Sequence, residues 1–354
     1  MSRDVPPSTV HPSRLQFGTP LFEPGTTIRG RREFVLGGGL SIAACIGYPF
    51  IRTMTHSHAA VFIARHQRYN GPLVRTIRDG LLATGLDTAA LRGKLVLLKP
   101  NLVEPTRSSP CVTTHPHVVG AAVEAFRGWG ADVVVGEGPG HVRDTEMAVV
   151  ESNLQATLDH LSVPFADLNY EEVAWVKNRG KASSLPGFYF PRTVVEADLI
   201  VSMPKMKTHH WVGITASLKN MYGVIPGIKY GWPKNVLHHA GLPQTVFDIN
   251  ASLPKMIAIV DGIEGMEGDG PIMGTPKKMG VLVMGTNAAA VDATVCRLMK
   301  IEPRAVEYLY MAGDKLGPTE ERFISQRGES WRPLASPFQI LDKPHLRGLR
   351  TPVA

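Results

Sequence analysis

Three lysines crowd one stretch of the chain. Lys205 and Lys207 lie in Pro204-Lys-Met-Lys-Thr-His209, and Lys219 follows in Ser217-Leu-Lys-Asn220. Ammonium groups this close suit capture of a carboxylate or phosphate, or a lysine of perturbed pKa. Lys99 and Asn101, in Lys-Pro-Asn, add a cation and an amide that can orient an anionic ligand. Histidines come in three close pairs: His115 with His117, His209-His210 and His238-His239. Each pair can offer a proton carrier or a metal ligand, and three loops together can assemble a site. Plain surface histidines in loops read the same way. Carboxylates come from Glu137, in Gly136-Glu-Gly-Pro-Gly140, and from Asp261, Glu264, Glu267 and Asp269 in a glycine-rich acidic stretch. Such a stretch can bind a hard cation, act as general acid or base, or simply neutralise the lysines.

Several chemistries are absent from the motif record. The turn at 136–140 is G-x-G-x-G rather than G-x-G-x-x-G, and Pro139 brings no N–H donor, so a dinucleotide fingerprint is weak. No G-x-x-x-x-G-K-[ST] or H-E-x-x-H occurs. The three cysteines, Cys45, Cys111 and Cys296, form no C-x-x-C pair, which excludes a cysteine-ligated iron–sulfur cluster within this chain.

The elements that must position these groups alternate. Short apolar runs at Lys94–Leu98, Asp132–Val135, Phe165–Leu168, Asp198–Met203, Met256–Val260 and Met279–Met284 read as strands, several apolar on both faces. Helical patterns fall at Arg75–Thr84, His117–Trp129, Thr145–Leu161, Ala288–Lys300 and Arg304–Lys315. The segment 169–196 reads as a hairpin or excursion, and 204–247 as loop-rich with short helices near Leu218 and Thr245. Asp292, one turn into its helix, reads as compensation of the N-terminal dipole. The alternation predicts an α/β fold: a mostly parallel sheet, helices on both faces in three layers, and a loop-rich ligand face. In such folds ligands sit beyond the carboxyl ends of the strands, where the polar motifs above fall.

Length and charge narrow the classes. The 354 residues are 44% hydrophobic, enough for a substantial core. The formal charge of +7 owes much to six arginines, with no lysine, in the first 60 residues. The remainder is only mildly basic, without a run that tracks phosphates, so no nucleic-acid partner is expected. The pair Arg31-Arg32, followed by Phe-Val-Leu36 and a mild apolar stretch to Ile51, reads as a twin-arginine export signal. Cleavage after Ala59, lipidation at Cys45 and an uncleaved anchor are the outcomes it leaves open. The expected partners are the twin-arginine translocase and, through this N-terminal segment, transient membrane contact. The expected location is the periplasm, with anchoring at the outer face of the cytoplasmic membrane as the variant.

Taken together and in order, these residues resemble the uncharacterised family called domain of unknown function 362. The resemblance rests on Lys99-Pro-Asn101, Thr114-His-Pro116, Gly136-Glu-Gly138, Pro204-Lys-Met-Lys-Thr-His209, Ser217-Leu-Lys-Asn-Met-Tyr-Gly223, Asp261-Gly262 and Ala290-Val-Asp-Ala293, over about residues 94–312. Many members carry a ferredoxin-like segment that this chain lacks. A fainter similarity is to lactate racemases. There a histidine ten residues before a lysine lies in the active site, and the lysine tethers a nickel-pincer nucleotide; His209 and Lys219 keep that spacing. The resemblance implies that His115 matches the other catalytic histidine, and that His238 or His239 ligates metal. Lys205 and Lys207 have no counterpart in it.

The expectation is an export segment at 1–59, an α/β domain at 60–320 with its core at 94–312, and a tail at 321–354. The domain is expected to be an enzyme that binds a small anionic substrate with a metal or nucleotide-like cofactor. His115, His209, Lys219 and Glu137 would be catalytic; Lys99, Asn101, Lys205, Lys207, Asn220 and Asp261 would bind ligand; His238 and His239 would bind metal. A non-catalytic carrier or chaperone, or a redox partner protein, are the other classes.

Overall fold

The computed structural model describes residues 58–350 apart from 108, 110 and 314, all within the unit that begins at Thr55. The arginine pair, the apolar stretch and Cys45 lie outside the described residues. Strands β1 (Ala59–Ala64), β2 (Leu95–Pro100), β3 (Asp132–Glu137) and β4 (Phe165–Asp167) precede a hairpin, β5 (Val173–Lys177) with β6 (Gly187–Pro191). Then come β7 (Leu199–Met203), β8 (Lys205–His209), β9 (Gly213–Thr215), β10 (Met256–Glu267), β11 (Thr275–Gly285) and β12 (Ile324–Gly328).

The main sheet runs β12-β1-β11-β10-β7-β2-β3-β4. Its centre, β10-β7-β2-β3-β4, is parallel, and β12 is parallel to β1; β11 runs antiparallel to both its neighbours. Alternation along the strands sorts the core into two layers. Leu97, Ile200, Ala258 and Val283 pack towards the helices Leu242–Ser252, Ala288–Leu298 and Glu307–Ala312. Val96, Val201, Ile259 and Leu282 pack towards Leu73–Ala83, Pro116–Arg127 and Leu154–Leu161. The chain is therefore the three-layer α/β fold that buried apolar runs predict.

Four details depart from the sequence reading. The helix expected over 145–161 breaks at Asn153, whose φ of 60° is left-handed, a state asparagine tolerates. The acidic stretch is no loop up to Glu267. It continues β10, with Glu264 opposite Lys278 and Glu267 bonded to Lys277 at 2.9 Å. Cross-strand lysines thus offset carboxylates that composition alone assigns to a loop. Residues 205–215 form the β8-β9 hairpin, turned at Gly213 with φ 85°. Finally Ala59, the end of the expected N-terminal segment, is already in β1, paired with Ile324 of the tail. No helix among the described residues is long and apolar enough to cross a membrane.

Candidate functional site

The carboxyl ends of β2 and β3 deliver Lys99 and Glu137 side by side. Both are buried and form an ion pair. Lys99 Nζ also donates to Pro100 O at 2.8 Å and to Asn220 Oδ1 at 3.0 Å, so its three protons are taken. Burial lowers the Lys99 pKa and the Glu137 carboxylate opposes that shift. Glu137 accepts further bonds from the backbone N–H of Leu102 and Gly138. Asn220 donates back to Lys99 O and to Ser202 Oγ, both at 3.1 Å. Gly223 makes the network possible: a Cβ there would lie 1.9 Å from Glu137 Oε1.

This network is the floor of a cleft of about 110 Å³. Its walls carry Lys219, Lys234, His141, His209, His238 and Trp211. Lys219 rides on the one-turn helix Ser217–Asn220, and Asp292 accepts from the first two N–H groups of that turn, at 2.7 and 2.9 Å. Asp292 therefore caps a neighbouring element rather than compensating its own helix. Lys219 Nζ stands 4.2 Å from the centre of the Tyr222 ring. Among the described residues it has neither a hydrogen-bond acceptor nor a carboxylate partner. Burial, with Lys99 next, brings its pKa down to about 7.

His209 is almost fully buried. Its Nδ1 accepts the Trp211 N–H at 3.1 Å, which puts the proton of the neutral ring on Nε2. Burial first and the Lys219 charge second hold His209 well below the usual imidazole range, and bring His238 to about 4. His141 is lowered by the same two causes. The imidazoles around Lys219 are neutral at pH 7; those of His141 and His238 keep a ring nitrogen free, among the described residues, to accept a proton, while that of His209 is taken by Trp211. Two further residues of the lining, Asn101 and Thr215, 7% and 4% exposed, carry a buried polar atom, Oδ1 and Oγ1, without a partner among the described residues.

The single site expected from the sequence is split. Lys99, Asn101, Glu137, His209, Lys219, Asn220 and His238 converge on the cleft; His115, Lys205, Lys207, Asp261 and His239 do not line it. Lys205 and Asp261 are opposite each other in β8 and β10 and form a fully buried ion pair at 2.7 Å. Tyr69 completes this cluster, with its hydroxyl 3.0 Å from Lys205 Nζ and 3.3 Å from Asp261 Oδ1. His115 stacks on Tyr69 at 3.7 Å and starts the helix Pro116–Arg127, its Nδ1 accepting the His117 N–H. Lys207 is buried with Nζ on the carbonyls of Val112 and Pro271. Its place between the clusters comes from strand alternation, since residues 205 and 207 share a face of β8. His239 is exposed outside the cleft.

The family model for the domain of unknown function 362 matches residues 96–297. The chain belongs to that family. The match takes in Lys99, Glu137, His209, Lys219 and Asp292, so the cleft is part of the family domain. A thylakoid-associated protein of Synechocystis sp. is 26% identical over 263 residues, 73% of this chain and 79% of that protein. Among solved structures, the lactate racemase apoprotein from Thermoanaerobacterium thermosaccharolyticum is similar at 13% identity with a TM-score of 0.36. That alignment covers 58% of this chain and 50% of the racemase chain.

The expected metal and nucleotide-like cofactor do not fit the cleft of this family member. About 110 Å³ is well below the roughly 300–1,000 Å³ of pockets that hold larger ligands. Among the described residues no group of three or more His, Cys, Asp or Glu side chains is placed to hold a metal ion. His238 lines the cleft, but its partner in the expected metal pair, His239, points elsewhere in the fold and is exposed.

The sequence reading passes over Lys234, His141, Trp211, Thr215 and Tyr69. Lys234 is 2% exposed, adopts φ 67° and donates to Gly138 O at 2.9 Å and Tyr222 O at 3.0 Å. Its only sequence signal is the Gly231-Trp-Pro-Lys turn, which carries no chemical spacing. His141 was readable, since it directly follows the glycine turn that presents Glu137.

Proposed function

We propose that the cleft binds a small anion and acts on it as an enzyme, with Lys219 as the working group. The observation that carries this reading is the unpartnered Lys219 ammonium in a cleft lined by three lysines and one carboxylate. That carboxylate, Glu137, is committed to Lys99. A cation half-buried without a counter-ion favours an anionic guest. The cleft volume restricts the guest to a few heavy atoms; a water takes about 30 Å³. Neutral His141 and His238 beside the amine supply proton acceptors, which favours turnover over simple carriage.

The test is calorimetric titration of the purified chain with acetate, oxalate and inorganic phosphate, against the Lys219→Met variant. Saturable binding of at least one anion, weakened tenfold or more in the variant, is expected. Equal affinities, or no binding by the wild type, would sink the idea. Binding with no chemical change in any small acid supplied would leave a carrier.

We further infer export by the twin-arginine translocase, from Arg31-Arg32 and the apolar stretch that follows. The thylakoid-associated relative is named for a membrane setting, which agrees with membrane contact through the N-terminal segment. Fractionation of cells expressing the full chain and its Arg31→Lys/Arg32→Lys variant checks this: periplasmic wild type and retained variant are expected, and equal partitioning would refute export.

A further inference from the structure

Among the three lysines that line the cleft, only one has its amine free. Lys99 Nζ serves Glu137, Asn220 and Pro100 O, and Lys234 Nζ serves two backbone carbonyls. Lys219 Nζ has the face of Tyr222 beneath it at 4.2 Å and no acceptor among the described residues. Its backbone is pinned by the paired bonds from Asp292, so the amine is presented from a fixed turn. Two residues of the same lining, Asn101 and Thr215, are more than nine-tenths buried and carry a polar atom, Oδ1 and Oγ1, without a hydrogen-bond partner among the described residues. One is an acceptor and the other can donate. A guest that satisfies both offers an acceptor, such as a carboxylate oxygen, and a donor, such as a hydroxyl.

Resting on the reading of the cleft as a small-anion site, we propose that Lys219 condenses with the carbonyl group of a small 2-oxo acid to form an imine. The nitrogen lone pair attacks the carbonyl carbon, a C–N bond forms and the oxygen takes a proton, giving a carbinolamine. Asn101 and Thr215 of the cleft lining would supply an acceptor for that new hydroxyl and a donor for the carboxylate. The C–O bond then breaks. The oxygen leaves as water with the two hydrogens that began on the amine, and C=N forms without any change of oxidation state. The neutral imidazole of His238, which packs on the same Tyr222 ring as Lys219 Nζ, is the nearby group able to ferry these protons. A lysine partly withdrawn from water and set beside another cation is a recognised setting for a nucleophilic amine. Lys219 has both, burial and Lys99, as the causes of its lowered pKa.

The experiment is reductive trapping. The full chain is incubated near pH 7.5 with glyoxylate or pyruvate and borohydride, then digested and mapped by mass spectrometry. One reduced adduct on the peptide bearing Lys219 is expected, formed on the order of a hundredfold faster than on any exposed lysine, because its amine is mostly unprotonated there. Acetate should slow that labelling, and acetaldehyde, without a carboxylate, should label Lys219 far less than glyoxylate does. Labelling spread evenly over surface lysines, or none at Lys219 while acetate still binds in calorimetry, would overturn the imine and leave the anion site standing. Absence of both labelling and anion binding would remove the anion site as well. Mapping is done on the wild-type protein, so no outcome depends on a variant folding.

Discussion

Asp292 holds Lys219 in place without touching it. The carboxylate reaches out of the helix Ala288–Leu298 and takes the N–H groups of Ser217 and Leu218, one on each oxygen, at 2.7 and 2.9 Å. A short turn that would otherwise be too brief to hold itself is thereby tied to the core. The aspartate is fully buried and its donors among the described residues come from Ser217 and Leu218, so the two elements are coupled.

Replacing Asp292 by alanine should therefore loosen the cleft from a distance. Burial raises the Asp292 pKa to about 7, so the two bonds are counted as ordinary buried ones, and their loss predicts destabilisation of about 2 kcal/mol. Urea unfolding reads the stability and calorimetry the anion affinity. A variant with weakened folding but unchanged affinity would show that Asp292 does not position Lys219.

The lowered Lys219 pKa makes a pH prediction with a definite sign. Its native pKa is about 7, against about 10.5 in the unfolded chain. Between these values the unfolded state binds the additional proton, so this group's contribution to stability rises with pH and is complete above about 10.5. The unfolding free energy of the wild type minus that of Lys219→Met should climb from pH 7 upward. A flat difference would mean that the amine is not desolvated.

Glu137 acts on Lys219 and Lys99 in opposite senses to burial, raising both pKa values. Glu137→Gln should lower the Lys219 midpoint further, read from the pH dependence of its reaction with an amine reagent. It should also cost about 3–5 kcal/mol by stranding the Lys99 ammonium in the interior. An unmoved midpoint would contradict the electrostatic account.

Gly223→Ala tests the floor of the cleft. The new methyl would lie 1.9 Å from Glu137 Oε1 and 2.5 Å from Lys99 Nζ, so the ion pair must shift. Destabilisation of roughly 2 kcal/mol or more is expected in urea melts, since an overpacked core rarely absorbs such contacts. A neutral substitution would mean that Lys99 and Glu137 relax freely.

The Tyr69, His115, Lys205 and Asp261 cluster supplies the converse. Asp261→Asn should lose about 3–5 kcal/mol of stability, because Lys205 has no other carboxylate within bonding distance among the described residues. The anion affinity of the cleft should be unchanged. A parallel loss of affinity would show that the two clusters act as one site.

The sequence by itself determined the layer plan and much of the cleft. Runs such as Leu95–Leu98 and Leu199–Val201 are apolar at every position, as strands buried on both faces are, so the parallel centre of the sheet was legible. Parallel strands send their carboxyl ends to one edge, and for that reason Lys99, Glu137 and Lys219 could be grouped before any contact was known. Tertiary structure alone decided which of the grouped charges face the ligand. The side-chain direction of Lys205 depends on its register against Asp261, and that pairing spans 56 residues. Lys234 enters the cleft through a left-handed turn, and Asp292 reaches Lys219 across 75 residues at Ser217. Such pairings are set by how strands and helices pack, and local composition carries no trace of them. The free amine of Lys219 is the plainest case. The residue is one lysine among several in the sequence, and it differs from Lys99, Lys205, Lys207 and Lys234 because the fold gives their amines hydrogen-bond acceptors and, among the described residues, gives none to its own.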